Sequence, residues 1–397
     1  MFVSLTSKYC KKIYSKFIIL INGLLLFWFS FTSLVAQTSN EGIVFEGAYT
    51  LDLASNINGG LNQGVAYLGN IDLNLTFDSE KLGLWKGGRF YVYLLNNHGD
   101  SLSELMGDFQ IANNIEADSN SRLYEFWYQH QFKNVKIILG QHNLNSIFLI
   151  ANTKDFFINS SFGIQPDISS NVPTSIFPLA GLGGIISINI SPNICLINGF
   201  YDGDPGTELS NPNSLKWSLS KTDGVLFIHE LSYNYKKDDI SMANYKLGFW
   251  NHTQNKTYNS AIKKRSQGVY FIGNKKLTNL DNHQNGLSLF TQIGFSLNKF
   301  NPVKSYWGSG IIYKGFFENR KNDTGGIALA HTRFSSYYQS LFRPGILRSE
   351  TAIEFSYEFI FLNSLSLKPN IQYIINPGSE INIPNALMAL VRISYSW

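Results

Sequence analysis

VAYLGNIDLNLTFD, residues Val65 to Asp78, is the stretch on which the reading of this chain turns. Val65, Tyr67, Gly69, Ile71, Leu73, Leu75 and Phe77 fall on one face of an extended chain, and Asn70, Asp72, Asn74, Thr76 and Asp78 on the other. Successive side chains of a strand point to opposite faces, so this strand separates an apolar environment from a wet one. The same period recurs in Phe45/Tyr49/Leu51/Leu53, Leu287/Leu289/Ile293/Phe295/Leu297, Ile353/Phe355/Tyr357/Phe359/Phe361 and Leu365/Leu367/Ile371/Tyr373/Ile375. It also governs the last residues, LMALVRISYSW. There Leu387, Ala389, Val391, Ile393, Tyr395 and Trp397 alternate with residues that include Arg392, Ser394 and Ser396.

The pattern predicts sixteen strands, near 43–53, 65–77, 88–97, 122–132, 134–142, 181–190, 194–203 and 223–235, then 242–252, 267–278, 286–298, 303–317, 324–334, 350–361, 365–376 and 385–397. Tight turns at 133–134, 191–193, 236–239 and 362–364 alternate with long segments at 98–121, 143–180, 204–222, 253–266 and 335–349. Short turns on one rim and long loops on the other are the pattern of an antiparallel transmembrane β-barrel, with the long loops extracellular. A β-sandwich or propeller also alternates, but a propeller repeats a blade motif at fixed period, and none recurs here. Aromatic pairs near strand ends (Phe126/Tyr128, Tyr233/Tyr235, Phe316/Phe317, Tyr357/Phe359) fit the interface girdles of such a barrel. A barrel in lipid leaves no edge unpaired, so the last strand is expected to close on the first.

Charged residues make up 15% of the 397, against about 25% in soluble domains. No apolar run after residue 36 approaches the roughly 20 residues of a spanning helix. The net charge of +4 is too small to suggest a nucleic-acid partner. At the start, Lys8, Lys11, Lys12 and Lys16 precede the apolar run FIILINGLLLFWFSFTSLVA and then Ala36-Gln37. This order predicts a cleavable signal peptide over 1–36 and a barrel domain over 37–397, with a membrane-anchoring helix as the alternative. Removing 1–36 takes Cys10 and leaves Cys195 alone, which excludes an intrachain disulfide.

Several stretches resemble the carbohydrate-selective porins of bacterial outer membranes, the OprB-like family. The strongest is Leu367-Lys368-Pro369-Asn370-Ile371-Gln372-Tyr373 with Asn376-Pro377-Gly378, preceded by Glu350, Glu354 and Tyr357. Gly59-Gly60-Leu61, Gly64, Tyr67 to Asp72, Trp85 to Gly88, Arg122-Leu123, Glu125, Trp127, Gly199, Tyr201 to Gly203 and Pro205 fit as well. The family's Gly-Lys-x-Asp is replaced by Gly140-Gln141-His142-Asn143, and residues 204–349 match only in outline. The resemblance implies an outer-membrane porin passing small sugars by passive diffusion, along with ions. The alternatives are a general, non-selective porin of the same fold and an outer-membrane barrel enzyme such as a lipase. The terminal Tyr395 and Trp397 resemble the C-terminal signal read by the barrel-assembly machinery. Association into homo-oligomers is left open.

A porin needs charges that set ion preference and a narrow zone where solute exchanges water for side chains. Planar polar groups that pair with hydroxyls, and aromatic faces for sugar rings, are the expected parts. The alternation offers Glu125, Trp127 and Gln129 on one strand face, opposite Tyr124, Phe126 and Tyr128. Later strands offer Glu354, Glu358, Lys368, Asn370, Gln372 and Arg392. The segment 143–180 has apolar anchors (Phe148, Phe156, Phe157, Phe162, Ile164, Phe177) and three prolines. It is expected either to fold inward, presenting Asn152, Lys154, Asp155 and Asn159 to the solute, or to pack over its neighbours at the surface. Seven scattered histidines, no His-Glu-x-x-His and no paired cysteines argue against a metal or cofactor site. Lys263-Lys264-Arg265 reads as a basic loop tip.

Overall fold

The computed structural model describes residues 42–237, 240–258, 262–278, 285–342 and 346–397, so the expected signal segment lies outside the described residues. The first eight strands are β1 (Ile43–Asn58), β2 (Gly64–Asp78), β3 (Gly88–Gly99), β4 (Asn120–Phe132), β5 (Val135–His142), β6 (Gly181–Ser191), β7 (Ile194–Asp202) and β8 (Val225–Lys237). The remainder are β9 (Ile240–Tyr258), β10 (Ile262–Lys276), β11 (Gly286–Ser296), β12 (Val303–Lys314), β13 (Thr324–Phe334), β14 (Ser349–Leu362), β15 (Leu365–Ile375) and β16 (Ala386–Ser396). Each pairs antiparallel with its neighbours in sequence, and β1 pairs with β16, so the sheet is a closed sixteen-strand barrel.

Alternation maps directly onto the two faces of the wall. Val65, Ile327, Phe355 and Ile371 point outward and are exposed, whereas Ala66, Leu68, Ala328 and Glu354 point inward and are buried. The outward row of β14 from Thr351 to Phe361 covers about 33 Å of strand, or about 25 Å of depth at a tilt of about 40°, which matches the apolar band of such barrels. At the seam Asp52 stands opposite Arg392 and Leu53 opposite Val391. Trp397 exchanges both main-chain hydrogen bonds with Gly47. The terminal residue is therefore part of the closure.

Three local expectations are corrected. Tyr124 does not join Phe126 on the outer face: the register shifts where Glu125 and Leu123 oppose Tyr93 and Leu94, and Tyr124 is the extra residue. A bulge of this kind breaks period two, so Tyr124 turns inward against Tyr93 and Phe177. Among the described residues, 253–258 and 262–266 are not loop, because β9 and β10 continue through them, paired at Lys263–Thr257 and Lys264–Lys256. Lys263-Lys264-Arg265 thus lies on a strand. β12 ends at Lys314, which leaves Phe316 and Phe317 in the following turn.

Two long connections pack inside the barrel. Residues 100–119 carry the short helix α1 (Ser103–Met106), and residues 143–180 carry α2 (Pro166–Ser169). A third helix, α3 (Ser336–Phe342), lies between β13 and β14. The inward segments build two apolar clusters against the wall. One joins Phe156, Phe157, Ile158 and Phe162 to Leu102, Met106 and the wall residues Phe290, Ala328, Ala352 and Met388. The other joins Leu144, Phe148, Leu149, Ile168 and Val172 to Ile228, Trp250, Tyr270 and Ile272. Each buried Phe or Leu contributes roughly 1.5–3 kcal/mol relative to exposure, which offsets the entropy of ordering segments this long.

Candidate functional site

The inner wall receives these segments where its side chains are small or acidic. Ala328, Ala330 and Ala352 leave room for the phenylalanines of 156–162. A β-carbon at Gly294 would overlap the carboxylate of Asp167, so that glycine admits α2 to the wall. Burial then pushes the Asp167 carboxyl up to about 8.

Wall carboxylates clasp the backbone of both segments. Glu354 accepts the N–H groups of Ile158 at 2.7 Å and Asn159 at 2.9 Å, and is steadied by Ser356 and Asn370. Glu350 does the same for Phe109 (2.7 Å) and Gln110 (2.8 Å), and also accepts Gly378 N–H. On the far side Glu230 accepts Leu149 N–H and the hydroxyl of Tyr270, with Lys246 as its ion-pair partner. Buried backbone N–H groups outside a strand ladder need acceptors. Charged acceptors form the stronger bonds. Gln372 ties the two segments together, donating to Ala112 O at 2.8 Å and accepting from Asn159 Nδ2 at 3.1 Å.

The expected residues therefore separate into two groups. Glu354, Asn370, Gln372 and Asn159 are fully buried and occupied with one another or with backbone. Lys154 is also buried, donating to Asp155 and to Gly163 O; burial pushes its ammonium down while Asp155 pulls it back up. These five hold structure. Glu125 is buried too, accepting from the Trp127 indole at 3.0 Å and lying 3.9 Å from His142. Trp127 stacks on Tyr91 with ring centres 4.7 Å apart, and Gln129 is half-buried further along the same face.

The second group meets water. Asn152 and Asp155 are exposed on segment 143–180. Lys368 is itself buried but stands beside this group: it donates to Phe156 O at 2.9 Å, lies 4.4 Å from the Phe156 ring centre and 3.6 Å from Glu358, whose side chain is part-exposed. Arg392 forms a bidentate pair with Asp52 at 2.8 and 2.7 Å, and its outer nitrogen reaches Asn113 and Asn114. Lys368, Arg392, Glu358 and Asp155 thus stand on, or beside, the residues that anchor the inward segments. Tyr395 and Trp397 lie far along the seam and stack on each other.

Sequence reasoning passed over Asp52, Asn113, Asn114 and Glu230. Asp52 was legible, because Leu51 and Leu53 place it on the wet face. Glu230 shares its inward face with Ile228 and stands between the outward His229 and Leu231. Asn113 and Asn114 were not, since nothing local shows that residues 100–119 turn inward.

The comparisons with known proteins agree with this architecture. A family model described as carbohydrate-selective porin, OprB family, matches residues 62–396. Porin B of Pseudomonas aeruginosa is 25% identical over 403 aligned positions, covering 89% of this chain and 87% of that one. A protein named putative porin QuiX, from Acinetobacter baylyi, is 22% identical and covers 89% of each chain. The high-pH structure of Pseudomonas putida OprB superposes with a TM-score of 0.81 at 22% identity, covering 90% of this chain and 95% of that one. The chain belongs to the carbohydrate-selective porin OprB family. It is an outer-membrane porin that passes sugars passively, and the family and the barrel fold point to a channel.

Proposed function

We propose that in this porin the solute passes along the water-facing edge of the two inward segments, and that Arg392, Asn114, Asp155 and Glu358 line that edge. The observation that carries the reading is the anchoring of residues 109–113 and 156–159 on one arc of wall, β14 to β16 and β1, through Glu350, Glu354, Gln372 and the Asp52–Arg392 pair, while Glu230 holds the start of segment 143–180 across the barrel. Inward segments narrow the lumen, and the charged groups beside their anchors are those that a solute meets. An Arg–carboxamide pair such as Arg392 with Asn114 offers planar donors and acceptors to vicinal hydroxyls. Trp127 on Tyr91 offers an aromatic face for a sugar ring. Gln129 extends the polar row below it.

Single-channel conductance in planar bilayers, with glucose titrated as a blocker, tests this. Ohmic conductance with saturable sugar block is expected, and Asp155→Asn should weaken the block and reduce cation preference. Ohmic flow without block would favour the general porin. Esterase activity without pores would favour the barrel enzyme. For assembly, the proposal is that Tyr395 and Trp397 are read by the barrel-assembly machinery after cleavage of residues 1–36. Deletion of Trp397 should then impair outer-membrane insertion far more than Ser396→Ala.

A further inference from the structure

Three consecutive connections on the long-loop rim share one charge sign. Residues 251–267, 296–305 and 331–349 contain Lys and Arg but no Asp or Glu. The diametrically opposite connection, residues 100–119 between β3 and β4, contains Asp and Glu but no Lys or Arg. A surface that serves only solubility intersperses both signs. A sector of one sign instead attracts a partner of the other.

The geometry places the basic sector at a defined depth. The outward row of β13 runs Ile327, Leu329, His331, Arg333, so the apolar wall ends in a guanidinium. His331 pairs with Trp307 and Arg333 with Ser305, the position opposite Phe295. Trp307 and Phe295 are exposed on the outer face, as is Phe249 on β9. Exposed aromatics at this level mark the membrane interface, so Arg333 sits where lipid headgroups begin. The β9–β10 hairpin rises beside it beyond the last pairs with its outer neighbours, His252–Leu226 and Gly268–Ser296. Across that hairpin Lys264 stands at the register position opposite Lys256. Lys264, Arg265, Lys299, Lys304, Arg333 and Arg348 are all exposed. None joins an ion pair among the described residues.

We infer that the β9–β14 sector of this rim binds the phosphate groups of anionic glycolipid in the outer leaflet. Arg333, Arg265 and Arg348 match phosphate oxygens bidentately, and the lysines supply point charge. The β3–β4 connection on the other side carries no basic group and packs into the lumen, so the lipid contact lies on one side of the barrel.

The test uses the full barrel refolded in nonionic detergent and titrated with bis-phosphorylated lipid A, with binding read by native mass spectrometry. Dephosphorylated lipid A should bind at least about tenfold more weakly. The variant Lys264→Ser/Arg265→Ser/Arg333→Ser/Arg348→Ser should lose about tenfold or more for the phosphorylated form, a modest expectation for four basic groups at a lipid surface, and keep its heat-modifiable gel mobility. If that variant fails to fold, Arg333→Ser alone should weaken binding, and Arg333→Lys should restore most of it. Inorganic phosphate at tens of millimolar should not displace the lipid. Equal binding of the two lipids, unchanged binding by a folded variant, displacement by free phosphate, or preference for poly-glutamate over lipid would each overturn the inference.

Discussion

Segment 143–180 and the hairpin 251–267 leave the same rim of the barrel, yet the first turns into the lumen and the second stands above it. Their residues explain the difference. Segment 143–180 carries Phe148, Phe156, Phe157 and Phe162, together with Pro166, Pro173 and Pro178, which lack the N–H a strand ladder requires. It cannot leave its aromatics in water, and although its short turns satisfy much of its backbone, the N–H groups of Leu149, Ile158 and Asn159 need acceptors beyond it. It goes where apolar surface and acceptors are both available, under Glu354 and Glu230. The hairpin has no proline, and its backbone groups pair across its own two arms, so it needs no wall. A connection enters a barrel when its apolar side chains and its leftover N–H groups are met there.

Removing residues 150–172 should have the largest effect. Conductance should rise severalfold and sugar block should disappear, while the barrel keeps its heat-resistant mobility in detergent gels. Unchanged conductance in a correctly inserted deletion would break the comparison at its first term.

Glu354→Ala strikes the same contact more gently. It leaves the N–H groups of Ile158 and Asn159 buried without their acceptor, a loss of about 3 kcal/mol. Faster proteolysis within 150–172 and noisier open-channel current are expected. Glu350→Ala should do the same for residues 100–119 and leave 150–172 protected, which sharpens the assignment of one carboxylate to each segment. Arg392→Ala also belongs at this level: it strands the buried Asp52 at the β1–β16 seam, so thermal stability should fall along with the sugar block.

Asp167 should make the seating of segment 143–180 depend on pH. Its carboxyl is raised from an ordinary 3.8 to about 8, so between those values the folded chain holds a proton that the released segment gives up. Stability contributed by the proton is full below pH 3.8 and is lost as pH rises through about 8, with a slope of at most about 1.4 kcal/mol per pH unit. Segment protection measured by hydrogen exchange from pH 5 to 8 should therefore decline in the wild type and stay level in Asp167→Asn. A decline of equal slope in the variant would assign the effect to another group.

The smallest effect is expected from the hairpin. Replacing residues 254–264 with a short turn should leave conductance and sugar block unchanged, because no part of the hairpin shares the anchors of the inward segments. A changed block would mean that the two connections are coupled.

Much of this molecule follows from the period of two. The strands, their outward rows and the closure of β16 on β1 were legible because one face of every strand must meet lipid and no edge can stay open. The inward position of Arg392 and Lys368 follows from the same parity. Tyr124 escaped that logic because a bulge shifts the parity without changing composition. The fate of 253–266 escaped it because polar, well-paired strands above the membrane lose the apolar alternation that lipid imposes. The division of Glu125, Glu354, Asn370, Gln372 and Asn159 from Arg392, Asp155 and Glu358, buried groups against water-facing ones, was decided only in three dimensions. All lie on or against the inner wall, but which of them a long connection covers depends on where that connection's backbone finds acceptors, and those acceptors come from strands some 200 residues away.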